Sequence, residues 1–221
     1  MENQRELITI HGWTFRIQKP RLPGPHRIIL LLHGWTGDED AMWVFGSRLP
    51  QDALLVAPRG LFPTPLGGYG WHPHEIGSWP WVDDFRPVIE ELLEILCSDP
   101  FPNSDCSTVS MVGFSQGAAL AFAFGMLFPA RVELIAGLSG FLPEGADAIA
   151  RNKPLTDKHL FLAHGARDQI VTVDRARSAV KILESAGAQV SYCEDDVGHK
   201  LSASCNKGLQ NFFLRYELGG S

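Results

Sequence analysis

Short, unbroken apolar runs alternate with longer amphipathic stretches along the chain. Residues 27–32 (RIILLL), 53–57 (ALLVA), 108–112 (TVSMV), 134–138 (LIAGL) and 160–163 (LFLA) are mostly apolar at successive positions. That continuity, rather than alternation, predicts central parallel strands covered on both faces. Residues 7–10 and 13–17 flank His11-Gly12 and predict an antiparallel hairpin at the entry edge. Helical periodicity fills the intervals. Over 83–97, Phe85, Val88, Ile89, Leu92, Leu93 and Leu96 share one face, and Asp83 or Asp84 is a candidate cap for the first unpaired N–H groups. Residues 115–128 are apolar almost all round and rich in Ala and Gly, which predicts a buried helix lying close on a sheet and stopped by Pro129. Residues 174–186 and 201–216 predict two amphipathic helices, the last with Leu209, Phe212, Phe213 and Tyr216 together. Strands alternating with helices define an α/β fold with a mostly parallel, doubly wound sheet. In such sheets the chemistry collects in loops at the carboxyl ends of strands.

Composition narrows the function. A chain of 221 residues fits a single domain, here 1–218, with 219–221 as a flexible tail. Nineteen Lys and Arg against 25 Asp and Glu leave a net charge of −6, and there is no basic run, so nucleic acid is not the expected partner. No apolar run approaches the roughly 20 residues of a bilayer span, so stable membrane insertion is not expected. The polar start Met1-Glu2-Asn3-Gln4-Arg5-Glu6 lacks a signal core, and a cytoplasmic location is expected. Cys97, Cys106, Cys193 and Cys205 form no C-x-x-C pair, and the same reasoning favours reduced thiols over Cys97–Cys106 and Cys193–Cys205 bridges.

The most informative stretch is Gly113-Phe114-Ser115-Gln116-Gly117, a G-x-S-x-G between a strand and a small-residue helix. In that context the serine sits on a turn too tight for side chains two residues either side, and its hydroxyl is lifted clear of the sheet. A serine hydroxyl is a weak nucleophile until a base takes its proton, and the base must be held in one tautomer by an acid. In this arrangement acid and base follow the serine in chain order. Asp168 lies after the 160–163 strand, and His199 lies between a strand at 190–193 and the last helix. Asp174 reads as a first-turn helix residue, while Asp195 and Asp196 sit too close before His199 to reach it from another strand. Acyl transfer also needs donors for the developing oxyanion. The backbone N–H groups of Gln116 and of Trp35, in the loop His33-Gly34-Trp35-Thr36-Gly37, are the candidates. His164 reads as a hydrogen-bonding support beside the Asp168 loop.

Taken together, LLHGWTGDE, VGFSQGAA, LSGFLP, HGARDQIV and VGHKLS resemble the phospholipase/carboxylesterase family of α/β-hydrolases over about residues 27–216. The resemblance implies an α/β-hydrolase fold and a serine, aspartate and histidine at Ser115, Asp168 and His199. It also implies oxyanion donors at Trp35 and Gln116, no metal, no organic cofactor, and admits a homodimer. The pattern departs at Trp35, where smaller residues such as Leu are usual and where a large ring would narrow the acyl side.

The segment 61–81 lacks periodicity and is rich in aromatic residues, so Phe62, Tyr69 and Trp71 are candidate substrate walls, the last also implied by the resemblance. The alternative is a satellite core beneath a long loop. His72-Pro73-His74 has no further clustered ligands, so a metal is not expected. Residues 139–159 are too few for a large cap domain, which predicts an open site. The expected function is therefore a serine carboxylesterase acting on small-molecule esters with short- to medium-length acyl groups. A lysophospholipase or acyl thioesterase using the same residues is the alternative. A non-catalytic binding scaffold is the alternative from another class.

Overall fold

The computed structural model describes residues 5–20, 24–73, 78–97, 101 and 104–217. Strands β1 (Arg5–Ile10), β2 (Trp13–Gln18), β3 (His26–Leu32) and β4 (Leu54–Pro58) are followed by the two-residue strands β5 (Phe62–Pro63) and β6 (Tyr69–Gly70). Helix α1 (Arg86–Leu96), strand β7 (Ser104–Phe114), helix α2 (Gln116–Leu127), strand β8 (Val132–Leu138) and the short helix α3 (Ala146–Ala150) come next. The chain ends with β9 (His159–Gly165), α4 (Val173–Ser185), β10 (Gln189–Asp195) and α5 (Ala203–Glu217).

Eight strands form one sheet in the order β1-β2-β4-β3-β7-β8-β9-β10. The hairpin β1–β2 and its junction with β4 are antiparallel, and every other pairing is parallel. The continuous apolar runs are explained by the sheet being covered twice. Ile28, Leu30 and Leu32 of β3 join a core that includes the apolar faces of α1, α2 and α4, while Ile29 and Leu31 join a second core with Met42, Trp43, Phe45, Leu209, Phe212 and Phe213. The second core is built by α5 and a 3-10 helix at Ala41–Arg48, an element that the sequence pattern did not announce. Helix α2 is buried from Gln116 through Met126, as a helix without a polar face must be.

Local chemistry departs from expectation at two places. The helix at 86 is entered through a 3-10 turn at Val82–Phe85, and Asp84 does not cap α1. Its carboxylate instead accepts the Trp81 N–H at 2.7 Å, while Asp83 pairs with Arg86. The expectation of reduced thiols is also overturned: Cys97–Cys106 and Cys193–Cys205 are both disulfides. The fold brings their Cα atoms to 5.4 and 5.7 Å, within bridging range, at the junctions of α1 with β7 and of β10 with α5.

From β3 the chain moves outward to β4 on one side, and β7 lies on the other. The crevice beyond the carboxyl ends of β3 and β7 is therefore the topological switch point, where open α/β sheets bind ligands. The loop 33–37 and Ser115 both leave the sheet there.

Candidate active site

Ser115 follows β7 directly and has φ +53° and ψ −115°, a conformation that a non-glycine residue holds only under constraint from its surroundings. The constraints are visible. Its N–H donates to the Leu138 carbonyl at 2.9 Å, and its own carbonyl accepts the N–H groups of Ala118 and Ala119. A Cβ at Gly113 would collide with the Gly117 carbonyl, and one at Gly117 would collide with the Leu32 and His33 carbonyls. Both glycines of the motif are thus required by close backbone approach, as the tight turn predicts. Gly34 is close without colliding, since a Cβ there would lie 3.3 Å from the Ser115 Cβ.

The structure brings Asp168 and His199 together. Asp168 Oδ2 accepts from His199 Nδ1 at 2.6 Å, and its other oxygen accepts the N–H groups of Ile170 and Val171 at 2.9 and 3.0 Å. The Asp168 side chain is fully buried and that of His199 is 17% exposed. With Nδ1 committed to a carboxylate, the Nε2 of His199 is the nitrogen left for proton transfer. The His199 ring packs edge-on to Phe114, the residue before Ser115, at 5.0 Å. His164 fills the supporting role expected of it: its Nε2 bonds the Val171 carbonyl at 2.8 Å and lies 3.4 Å from Asp168 Oδ2. The competing acids are engaged elsewhere, Asp174 with Arg177, Asp195 with Ser204 and Asp196 with Arg167.

Ser115, Gln116 and Trp35 line one apolar pocket of about 290 Å³, together with Trp79, Phe141, Ile170 and Val171. Gln116 opens α2, so its N–H has no carbonyl one turn earlier to bond and points where an anion is favoured. Trp35 stands in a loop turned by a Gly37 N–H to Gly34 carbonyl bond and by Thr36 at φ +71°.

Trp71 corrects the sequence reading. It is fully buried rather than a wall of the pocket, and it acts as a strut. Its indole N–H donates to the His33 carbonyl at 2.6 Å and its backbone N–H donates to Gln116 Oε1 at 2.9 Å. His33, tilted against it with ring centroids 4.6 Å apart, accepts the Gly60 N–H on Nε2 and bonds the Gly34 carbonyl through Nδ1. Burial pushes His33 below its ordinary value, which keeps it neutral with one nitrogen as donor and one as acceptor. One buried network therefore ties both candidate oxyanion residues to the β3 loop. Phe62 and Tyr69 do not reach the pocket either. They sit on the β5–β6 hairpin, where the Tyr69 N–H donates to the Gly37 carbonyl and its ring receives the Arg59 guanidinium at 4.9 Å.

The wall residues that the sequence reading missed are Phe141, Ile170 and Val171. The last two follow the candidate acid by two and three residues, so their place on the rim was available from that spacing. His72 lines the pocket, and His74 lies outside the described residues. No cluster of metal-binding side chains occurs among the described residues. No described helix is long and apolar enough to cross a membrane.

The sheet order, the strand–serine–helix turn and the late acid and histidine loops define an α/β-hydrolase. The chain belongs to the phospholipase/carboxylesterase family, whose model matches residues 14–214, and is thereby a carboxylic-ester hydrolase. It is 40% identical over 163 residues to acyl-protein thioesterase 1 of Yarrowia lipolytica, covering 66% of this chain and 71% of that one. It is 28% identical over 181 residues to acyl-protein thioesterase 1 of Debaryomyces hansenii, covering 72% and 77%. The fold is that of the Bacillus cereus carboxylesterase, with a TM-score of 0.81 at 20% identity over 93% of this chain and 95% of that one.

Proposed function

We propose that the protein is a serine carboxylesterase that cleaves short- to medium-chain esters through an acyl-enzyme. Ser115 Oγ attacks the ester carbonyl while His199 Nε2 takes its proton, and Asp168 holds His199 with Nδ1–H and stabilises the imidazolium. The N–H groups of Trp35 and Gln116 receive the oxyanion. Collapse of the tetrahedral intermediate expels the alcohol, protonated by His199, and a water activated by the same nitrogen then releases the acid.

The observation that carries this reading is the 2.6 Å bond between buried Asp168 and His199, whose ring packs on Phe114, the neighbour of a serine held at φ +53° that lines an apolar pocket. A structural turn has no need of a strained serine or of a buried carboxylate aimed at a half-open imidazole. The pocket, at about 290 Å³, stands at the small end for ligand sites, which favours short and medium acyl chains. Acyl thioesters form the second reading, supported by the naming of the fungal relatives.

Wild type and Ser115→Ala are compared on p-nitrophenyl esters of increasing chain length, with an acyl thioester and a lysophospholipid alongside. Fastest turnover of short esters, lost in the variant, supports the proposal. A maximum at long thioesters or lysolipids keeps the chemistry and replaces the substrate. Inactivity on all of them returns the chain to a binding scaffold.

A further inference from the structure

A second, larger cleft of about 480 Å³ opens on the other side of Trp35. Its apolar walls are Met42, Val44 and Phe45 from the 3-10 helix, with Phe114 and Leu201. Lys200 is the single charged side chain lining it, with no carboxylate among the lining residues. Lys200 is exposed, and its ammonium has no ion-pair partner among the described residues. Val44 is 74% exposed, an apolar side chain left at the mouth of the cleft.

The position of this cleft carries a stereochemical consequence. The carbonyl attacked by Ser115 has two substituents, and the one that departs must meet the proton on His199. The smaller pocket is lined by Ser115 and both oxyanion residues but by no residue of the His199 loop. The larger cleft is lined by Lys200 and Leu201, the residues directly after His199, and by Phe114, whose ring packs on the imidazole. Among the described residues, Trp35 is the one that lines both.

We propose that this cleft is the leaving-group subsite, and that it selects an alcohol or thiol with an apolar, ring-sized body and an anionic group that meets Lys200. The inference rests on the esterase reading above. Ser115 Oγ adds to the carbonyl carbon as its proton passes to His199 Nε2, and on collapse of the tetrahedral intermediate the bond from that carbon to the leaving oxygen or sulfur breaks. That atom takes the proton from His199 Nε2 and departs through the cleft. Trp35 then acts on specificity by keeping the acyl and leaving groups in separate chambers.

The test uses 4-acetoxybenzoate, its neutral methyl ester, and methyl acetate, which share one acyl group. The measured quantity is the ratio of kcat/KM for the anionic ester to that for its methyl ester, so that leaving-group reactivity cancels between variants. Lys200→Gln is expected to lower this ratio about two- to fivefold, the range of an exposed ion pair, and Lys200→Glu to lower it further. Val44→Trp fills the cleft from its mouth and is expected to lower both aromatic esters about tenfold relative to methyl acetate. A ratio unchanged in Lys200→Glu overturns the anionic selection, and an unchanged aromatic preference in Val44→Trp overturns the subsite. Failure of the parent reading looks different: wild type then hydrolyses none of the three esters, or hydrolysis survives Ser115→Ala. Folding of each variant is followed by its thermal transition, and Lys200→Glu, at an exposed position, tests the anionic selection independently of the tryptophan variant.

Discussion

Replacing Asp168 by Asn tests the catalytic assignment with almost no change of shape. The carboxylate makes three hydrogen bonds, to His199 Nδ1 from one oxygen and to the Ile170 and Val171 N–H groups from the other, and His164 Nε2 lies 3.4 Å from the oxygen that meets His199. An amide has one oxygen and one NH2, so only two orientations are available. Turning the NH2 toward the backbone would set it against two donors in a fully buried place, at about 1–3 kcal/mol for each donor left unsatisfied. The amide oxygen therefore stays on the two N–H groups and the NH2 faces His199. His199 must then present a bare Nδ1 and carry its proton on Nε2, where it cannot accept the proton of Ser115. The imidazolium also loses its buried counter-charge. A wrong tautomer of this kind costs about 10⁴-fold in kcat, or roughly 5 kcal/mol of transition-state stabilisation. Stability should fall much less than activity, because the two loop bonds survive. The assay is kcat on a p-nitrophenyl ester, with the thermal midpoint measured on the same preparation. A variant that keeps its midpoint and retains kcat to within about tenfold would refute the reasoning, since general acid–base work alone is worth about 10²-fold or more.

Trp71→Phe removes the indole N–H from the His33 carbonyl while leaving most of the ring volume, so it should cost about 1–3 kcal/mol in denaturant unfolding. It should also lower kcat more than it raises KM, because it loosens the loop that carries Trp35. Equal kcat with lower stability would mean that the strut serves the fold alone. Reduction of the Cys193–Cys205 bridge, or its replacement by serines, opens a crosslink spanning 12 residues that contains His199. The unfolded chain then regains about 3 kcal/mol of entropy, and the thermal midpoint should drop by roughly 6–12 °C. An unchanged midpoint would show that the bridge adds no stability. His33 is held below its ordinary value by burial, so the unfolded chain takes up a proton that the folded chain refuses as the pH falls below about 6.5. Stability should therefore be intact above that pH and decline below it, by at most about 1.4 kcal/mol per pH unit from this residue. Denaturant midpoints at neutral and mildly acid pH should diverge less in His33→Gln than in wild type, and an equal divergence would assign the acid sensitivity elsewhere.

The elements that were legible in the sequence are those whose constraints are local. Residues 28–32 are apolar in succession because β3 faces two cores, as a strand covered on both faces must. Gly113 and Gly117 are legible because backbone stands where their Cβ atoms would be, so sterics wrote the elbow into the chain directly. Asp168 and His199, which the structure brings into hydrogen-bond contact, were picked out from chain order, each in a loop after its own strand. What the sequence concealed depends on partners distant along the chain. Nothing within segment 61–81 tells which ring turns inward; Trp71 does because the His33 carbonyl, 38 residues earlier, meets its N–H. The cysteines were misread for the same reason. Pairing was judged from a polar N-terminus, whereas it is decided by α1 ending beside the start of β7 and by α5 folding back along β10. The 3-10 helix at Ala41–Arg48 lacks a clean periodicity because it buries Met42, Trp43 and Phe45 against α5 while leaving Val44 to the cleft.

Trp35 combines both kinds of information. The backbone role proposed for it rests on its place after β3, since any residue there offers the same N–H. Its side-chain role depends on what lies on either side, Trp79 and Phe141 toward the smaller pocket and Val44 and Phe45 toward the larger. A smaller residue would keep the donor and let the two chambers run together. On the proposed assignment, a ring between them makes acyl size and leaving-group size separate requirements. Esters enlarged on one side should then respond to changes in one chamber and not in the other. Trp35→Leu should weaken that separation while leaving the oxyanion N–H in place, so kcat on the smallest ester is the control against which coupling between the two sides is read.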